Sequence, residues 1–241
     1  MKEWVKKILK GNQFGKIIYE PLRKLYRLWA VPHRRRILRR NGPAVLKRLA
    51  EVFEKHGIPA VATYGTMLGF VRDRGFIPHD DDIDIGVMPG EWTPQRLMRI
   101  FLEQEKDFRV TCALTFKDYV TEFKVRYLDV PVDFFFYEDT GSEFLCPLCV
   151  FRAEVKYPTP NANSVRIIHS PRFEGITYVP VFGINFPVMG NYKQMLVALY
   201  GESWNVPDKS WNDDKRPHIE DVDELGYSVS IDDAMRMEGC P

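Results

Sequence analysis

Asp80, Asp82 and Asp84 stand within five residues, in the segment Asp80-Asp81-Asp82-Ile83-Asp84-Ile85-Gly86. Acid and aliphatic residues alternate over 82–88, which predicts a β-strand. Asp82 and Asp84, two apart on a strand, then project from one face, and Asp80 joins them at the strand's start. Carboxylates this close repel one another unless a cation neutralises them. An all-oxygen donor set suits a hard ion, Mg²⁺ or Mn²⁺, rather than zinc. The interleaved Ile83 and Ile85 imply burial of the opposite face, which a solvated acidic turn would not need.

Upstream lies Tyr64-Gly65-Thr66-Met67-Leu68-Gly69-Phe70-Val71-Arg72. A tight turn at Tyr64 and Gly65 joins a short strand expected over 58–63 to a short helix running through Arg72. Backbone amides and the Thr66 hydroxyl at that helix start can cradle a phosphate. Arg72, about two turns along, can add a charge-assisted contact. A Gly-Thr pair before a helix says little alone; ahead of an Asp-Ile-Asp strand it says more.

The elements that must hold these groups follow from periodicity. A helix is expected from Asn41, its cap beside Pro43, with Leu46, Leu49, Ala50 and Phe53 inward and Gly57 as its stop. Thr93 and Pro94 start another, with Leu97, Met98, Phe101 and Leu102 inward. Strands are expected over 109–114, 119–127 and 132–137, and a helix over 191–200, while 138–190 reads only as short strands and loops. The mixture implies an α+β (mixed α/β) fold with a small mixed sheet flanked by helices. A hydrophobic fraction of 45% with 13% aromatics supplies a core and excludes global disorder.

The formal charge of +1 hides an asymmetry. Residues 1–40 carry 13 Lys/Arg and 2 Asp/Glu, a local +11, and the rest sums to −10. Trp4, Val5, Ile8 and Leu9, then Phe14, Ile17, Ile18, Leu22, Leu25, Tyr26 and Trp29, recur at helical spacing with cationic flanks. That pattern fits an amphipathic arm on an anionic membrane surface, through residues 1–30, or a helix packed on the body or on a second subunit. No basic-aromatic motif recurs elsewhere, so nucleic acid is not an expected partner. No apolar run reaches the ~20 residues of a membrane span. Met1–Lys10 lacks the apolar stretch of a secretion signal, so none is expected there. The last 41 residues, with 11 Asp/Glu against 4 Lys/Arg, read as a solvated acidic tail. The expected division is an arm over 1–40, a catalytic domain over 41–207 and a tail over 208–241.

Four cysteines, at 112, 146, 149 and 240, make no disulfide scaffold. Cys146 and Cys149 have CxxC spacing, that of half a zinc site or a redox pair; without a second CxxC, ordinary loop thiols are the expectation. His56, His169 and His218 are isolated and read as structural. Tyr200, Trp204 and Trp211 suit either a pocket wall or the core. No nucleophile elbow or Ser/His/Asp triad is present.

The stretch GTMLGFVRDRGFIPHDDDIDIGV, residues 65–87, resembles the signature of the LicD family of the nucleotidyltransferase superfamily, which includes bacterial phosphocholine transferases and fukutin-related proteins. LYGESWNVP, residues 199–207, is similar to the family's C-terminal YG-x-x-W-x-x-P element. His79 departs from it, standing where the family usually carries Trp. The resemblance implies a nucleotidyltransferase-like sheet and a third carboxylate from a neighbouring strand. Asp133, a lone acid in the apolar run Pro131-Val132-Asp133-Phe134-Phe135, fits that place and is costly there unless used or paired; Asp129 is a weaker competitor. On these grounds Asp80, Asp82, Asp84 and Asp133 are the expected metal ligands, with Asp82, Asp84 and Asp133 catalytic. Gly65, Thr66, Arg72 and Lys124 are the expected donor-phosphate contacts, and Arg126 shares the Lys124 face.

The activity implied is transfer of a substituted, phosphocholine-like phosphate from a CDP- or CMP-linked donor to a hydroxyl of a cell-surface glycan or its lipid-linked precursor, with Mg²⁺ or Mn²⁺. The setting implied is the cytoplasmic side, peripheral to the inner membrane face. Three other readings stay open: a nucleotidyltransferase adding NMP to a small molecule or protein, a nonenzymatic membrane-associated adaptor, and a phosphonate or polyol-phosphate transferase on the same scaffold.

Overall fold

A computed structural model describes residues 13–152, 155–208 and 210–237, with side chains of the first helix described from residue 28. The apolar face read from Trp4 to Leu9 and Cys240 lie outside the described residues. In chain order the elements are α1 (Gln13–His56), β1 (Ala60–Ala62), α2 (Tyr64–Leu68, prolonged by a π-type turn over Gly69–Asp73), β2 (Ile83–Val87), α3 (Pro94–Glu103), β3 (Arg109–Phe116), β4 (Tyr119–Tyr127), β5 (Val130–Phe136), β6 (Glu138–Asp139), β7 (Phe144–Val150), β8 (Ala162–Ser170), β9 (Ile176–Val181), β10 (Ile184–Met189), α4 (Tyr192–Tyr200), β11 (Ile219–Val229) and α5 (Ile231–Ala234).

The described strands form one sheet in the order β6-β7-β8-β11-β3-β4-β5-β2-β1-β10-β9. Two pairings are parallel, β2 with β5 and β1 with β10. The fold is therefore mixed α/β, but its sheet of eleven strands is large where a small one was expected. The difference lies in 138–190, whose short strands carry no clear period yet pair in register as β6 to β10.

One face of the sheet is apolar. Ile85 of β2, Phe134 of β5 and Phe123 of β4 stand side by side, all fully buried. Phe53 of α1 and Phe101 of α3 both pack on Phe134, at ring distances of 6.3 and 5.2 Å. Alternation then sends Asp84 and Asp133 to the other face. Thr93 caps α3 by accepting the Arg96 N–H at 3.2 Å, and Leu97, Met98 and Phe101 point inward as expected. Leu102 does not: it is 40% exposed, and Ile100 is buried in its stead.

The start expected at Asn41 is corrected, because α1 runs unbroken through Pro32 and Pro43 and the 40/41 boundary falls inside it. A proline inside a helix forfeits a backbone hydrogen bond. Here Leu38, Val45, Leu46, Leu49, Val52 and Phe53 bury one continuous stripe, and that tertiary gain outweighs the loss. Asn41 instead donates from Nδ2 to the Leu128 carbonyl at 2.8 Å. Gly57, at φ +64, ends the helix as expected. Among the described residues no helix is long and apolar enough to cross a membrane.

The acidic tail is likewise corrected. Residues 219–229 form β11, hydrogen-bonded between β8 and β3. Sheet pairing uses backbone groups, so an acidic strand joins wherever its carboxylates find cations. Asp221 meets Arg152 at 2.5 Å and Arg166 at 2.9 Å, and Asp214 meets Arg166 at 2.5 Å. Ala234, beyond β11, is fully buried. Truncation after residue 217 should therefore abolish the cooperative thermal transition followed by circular dichroism, whereas loss of a solvated tail would leave it intact.

A second electrostatic knot ties α1 to the segment after α3. Glu105, with 1% of its side chain exposed, receives Arg48 together with Lys55 and His56, both at 2.7 Å. Burial pushes its carboxyl up, but hydrogen bonds from Lys55, His56 and Arg48 more than offset this and hold it down to about 2. The stabilisation is present above the ordinary value of 4.5 and fades as pH falls towards 2. Glu105→Gln should cost about 3–5 kcal/mol near neutrality. Its thermal midpoint should converge on that of the unmodified protein between pH 4.5 and 2.

Candidate functional site

The site is a row of side chains crossing adjacent strands. Asp84 of β2 pairs in register with Asp133 of β5, Asp133 with Lys124 of β4, and Lys124 with Cys112 of β3. Asp82 shares this face at the mouth of β2, with Asp80 just before it. Glu122, two residues before Lys124, also faces this side and is 3% exposed.

The strand-to-helix turn from β1 to α2 holds the row from one flank. The Thr63 N–H donates to the Asp84 carbonyl at 3.1 Å, and the Asp84 N–H donates to Thr66 Oγ1 at 2.9 Å. Both backbone groups of Asp84 are thus clamped by the turn. Thr66 is fully buried, so its hydroxyl has an inward task that its place in the sequence did not disclose. Thr63, the cap residue, makes no side-chain cap bond, because its hydroxyl is within 2.8 Å of the Tyr137 hydroxyl. Tyr64 sits in the left-handed region at φ +43, a strained conformation for a bulky residue. Its ring is held edge-on against Phe135 at 5.0 Å and under the Arg216 guanidinium at 5.3 Å. At Gly65 a Cβ would lie 2.8 Å from Asp80 Oδ1, so any larger residue would push that carboxylate out of its present position.

The other flank comes from α1. Arg34 pairs with Asp81 at 2.6 Å, Arg35 donates to the His79 carbonyl and Arg39 to that of Pro78, both at 3.1 Å. Three arginines read as part of the basic arm over 1–40 therefore pin the loop that delivers the aspartates.

Crowding and burial mark the electrostatics. Burial, then Asp82, pushes the Asp80 carboxyl up to about 8. Burial, then Asp133, raises Asp82 to about 7. Burial, then Asp82, lifts Asp84 well above the carboxylate range. Burial raises Glu122 to about 7. Burial opposes the charge on Lys124, but Asp133 and Glu122 more than compensate and hold it protonated.

A cation is the chemistry this donor set accepts. Asp80 Oδ2 and Asp133 Oδ1 are buried without a hydrogen-bond partner, and all the oxygens come from carboxylates, which hard divalent ions prefer. Among the described residues no three His, Cys, Asp or Glu groups already converge closely enough to hold an ion; the carboxylates share a face, and side-chain rotation would have to bring them together.

The expected phosphate contacts are already engaged. Lys124 is bonded to Asp133, and to Glu122 at 2.5 Å. Arg72 makes a two-pronged pair with Asp73 at 2.8 and 2.9 Å and reaches the Trp204 carbonyl at 3.4 Å. Asp129 lies outside the row, in the β4–β5 turn, where its carbonyl accepts from Arg126 at 2.9 Å. His79 is exposed. His56 serves Glu105, and His169 lies between Glu143 and Glu220 at 3.1 and 3.2 Å.

Cys146 and Cys149 are not loop thiols. They lie on β7, three apart, so they face opposite sides and cannot share a metal. Tyr200 and Trp211 pack at 4.9 Å and, with Tyr64, surround the Arg216 guanidinium at 5.3–5.5 Å. Sequence reasoning missed Glu122 and Arg216. Glu122 carried a weak signal, an acid two before Lys124 in an alternating strand; Arg216 carried none.

Residues 57–162 match the family described as LicD/FKTN/FKRP, nucleotidyltransferase domain. The chain carries a LicD-family domain. It spans α2, β2, β4 and β5, and with them each carboxylate of the row. The chain is also 23% identical over 189 residues to a mouse protein named ribitol-5-phosphate transferase FKTN, covering 73% of this chain and 36% of the mouse protein. It thus spans about a third of that relative's length. Uncharacterized proteins of Rickettsia prowazekii and Rickettsia typhi are 46% identical over 44 residues, 18% of this chain and 16% and 14% of theirs.

Thr66→Val should leave the Asp84 N–H buried and unpaired, at a cost of about 1–3 kcal/mol in denaturant unfolding. Thr66→Ser, which keeps the acceptor, should recover most of that loss.

Proposed function

We propose that this chain transfers a substituted phosphate from a CDP- or CMP-linked donor to a hydroxyl of a cell-surface glycan or its lipid-linked precursor. The observation carrying the proposal is the in-register pair Asp84 and Asp133 on parallel strands, joined by Asp82 and Asp80, inside a LicD-family domain. The mouse relative's name, a ribitol-5-phosphate transferase, supports the same reaction class.

In this reading Asp80, Asp82, Asp84 and Asp133 hold Mg²⁺ or Mn²⁺. When bound, such an ion would neutralise the donor pyrophosphate and lower the pKa of the acceptor hydroxyl. The acceptor oxygen forms a new bond to the phosphorus bearing the head group, and the bond to the bridging oxygen breaks. The nucleoside monophosphate leaves with that oxygen, and the acceptor's proton passes to a carboxylate of the row. Gly65 admits the donor phosphates close to the backbone amides at the start of α2, and Thr66 holds Asp84 in place beneath them. Arg72, close enough to Asp80 to feel its charge, and Lys124 add positive charge at the two flanks.

The proposal extends to the setting, the cytoplasmic face of a membrane. Leu28 and Trp29 are exposed on α1, at 68% and 65%, a few residues before the Arg34–Arg36 run. Removing residues 1–30 should release the protein from anionic vesicles while sparing turnover on a soluble acceptor.

The decisive assay supplies purified protein with Mg²⁺ or Mn²⁺ and a panel of CDP- and CMP-linked compounds, and follows release of CMP. Asp82→Asn should bring release to background. Because it removes one of several crowded, partly buried carboxylates, it should also raise the metal-free thermal midpoint. Full turnover in that variant overturns the assignment. Attachment of NMP to the acceptor, rather than its release, would favour the nucleotidyltransferase reading.

A further inference from the structure

Asp133 divides the row of charges. Asp80, Asp82 and Asp84 lie on its β2 side, and Lys124 and Glu122 on its β4 side. Its Oδ2 accepts from the Lys124 ammonium, while its Oδ1 is buried without a partner. Lys124 is held from below as well, 2.5 Å from Glu122 Oε1, on a side chain 4% exposed. An ammonium bonded to two carboxylates is a cation already in place. Two-metal phosphoryl-transfer sites put their ions about 3.5–4 Å apart and share carboxylates between them. A second ion on the β4 side would have to take Asp133 Oδ2 and Glu122 from Lys124.

We infer that this site holds one divalent cation, with the Lys124 ammonium standing as the second positive charge and Glu122 as the residue that positions it. The inference rests on the cation site proposed above and adds its stoichiometry. The remaining Asp133 oxygen, Oδ1, serves the β2 side, where Asp80, Asp82 and Asp84 complete the set. Lys124 also keeps Glu122 from being a buried carboxylate without a counter-charge, a cost that a metal-free chain would otherwise bear.

Counting Mn²⁺ on the full chain, by calorimetry and by electron paramagnetic resonance without donor, tests this directly. The unmodified protein should bind one ion per chain. Lys124→Met, which vacates Asp133 Oδ2 and Glu122, should raise the count to two, and Lys124→Arg, which keeps the charge, should hold it at one. Two ions on the unmodified protein, or on Lys124→Arg, would overturn the inference while leaving the cation site standing. A count that stays at one in a folded Lys124→Met also overturns it. No binding to the unmodified protein overturns the cation site itself, and the inference with it.

Discussion

Asp84 and Asp133 sit side by side because β2 and β5 are parallel and in register. A half-buried carboxylate, Asp84, beside a buried one, Asp133, is unfavourable, and much of the surrounding structure compensates for the pair. Lys124 neutralises Asp133 from the next strand. The turn from β1 to α2 gives Asp84 hydrogen bonds to both of its backbone groups. Arg34 neutralises Asp81 in the approaching loop. The apolar face beneath, with Phe134 between Phe53 and Phe101, anchors the strands against that repulsion.

The charge asymmetry of the chain takes on a local meaning here. Part of the cationic arm is the counter-charge of the acidic loop: Arg34, Arg35 and Arg39 all reach residues 78–81. Because α1 is one continuous helix, whatever orients its N-terminal half acts on the same rod that pins the aspartates. Gly42 reinforces the link, since a Cβ there would lie 2.5 Å from the Phe76 ring, just ahead of that loop. Arginine and lysine thus serve the site from opposite sides of the row, one through the loop and one through β4.

The parts legible in the sequence share one property: their cause is local. The alternation through Ile83 and Ile85 was enough to orient Asp82 and Asp84, because a strand's faces follow from parity. Thr93 ahead of Pro94 marked the start of α3 for the same reason. Asp133 was legible through family resemblance and the cost of a lone acid among aromatics. Asn41 misled, since a good cap residue before a proline is the ordinary mark of a helix start, and only the buried stripe from Leu38 to Phe53 overrides it. The strand over 219–229 was hidden by its acids, whose cations, Arg152 and Arg166, come from far along the chain.

By itself the sequence determined the carboxylate pair on one face of β2, the glycine turn before it and the family those motifs resemble, because each depends on spacing within one segment. Only the tertiary structure decided what stands next to that pair. It put Asp133 beside Asp84 and Lys124 beside Asp133, turned the Thr66 hydroxyl inward, and committed Arg72 to Asp73. Register between β2 and β5, distant in sequence, sets the first of those neighbours and register within the β4–β5 hairpin the second, and the balance of charge in the row follows from both.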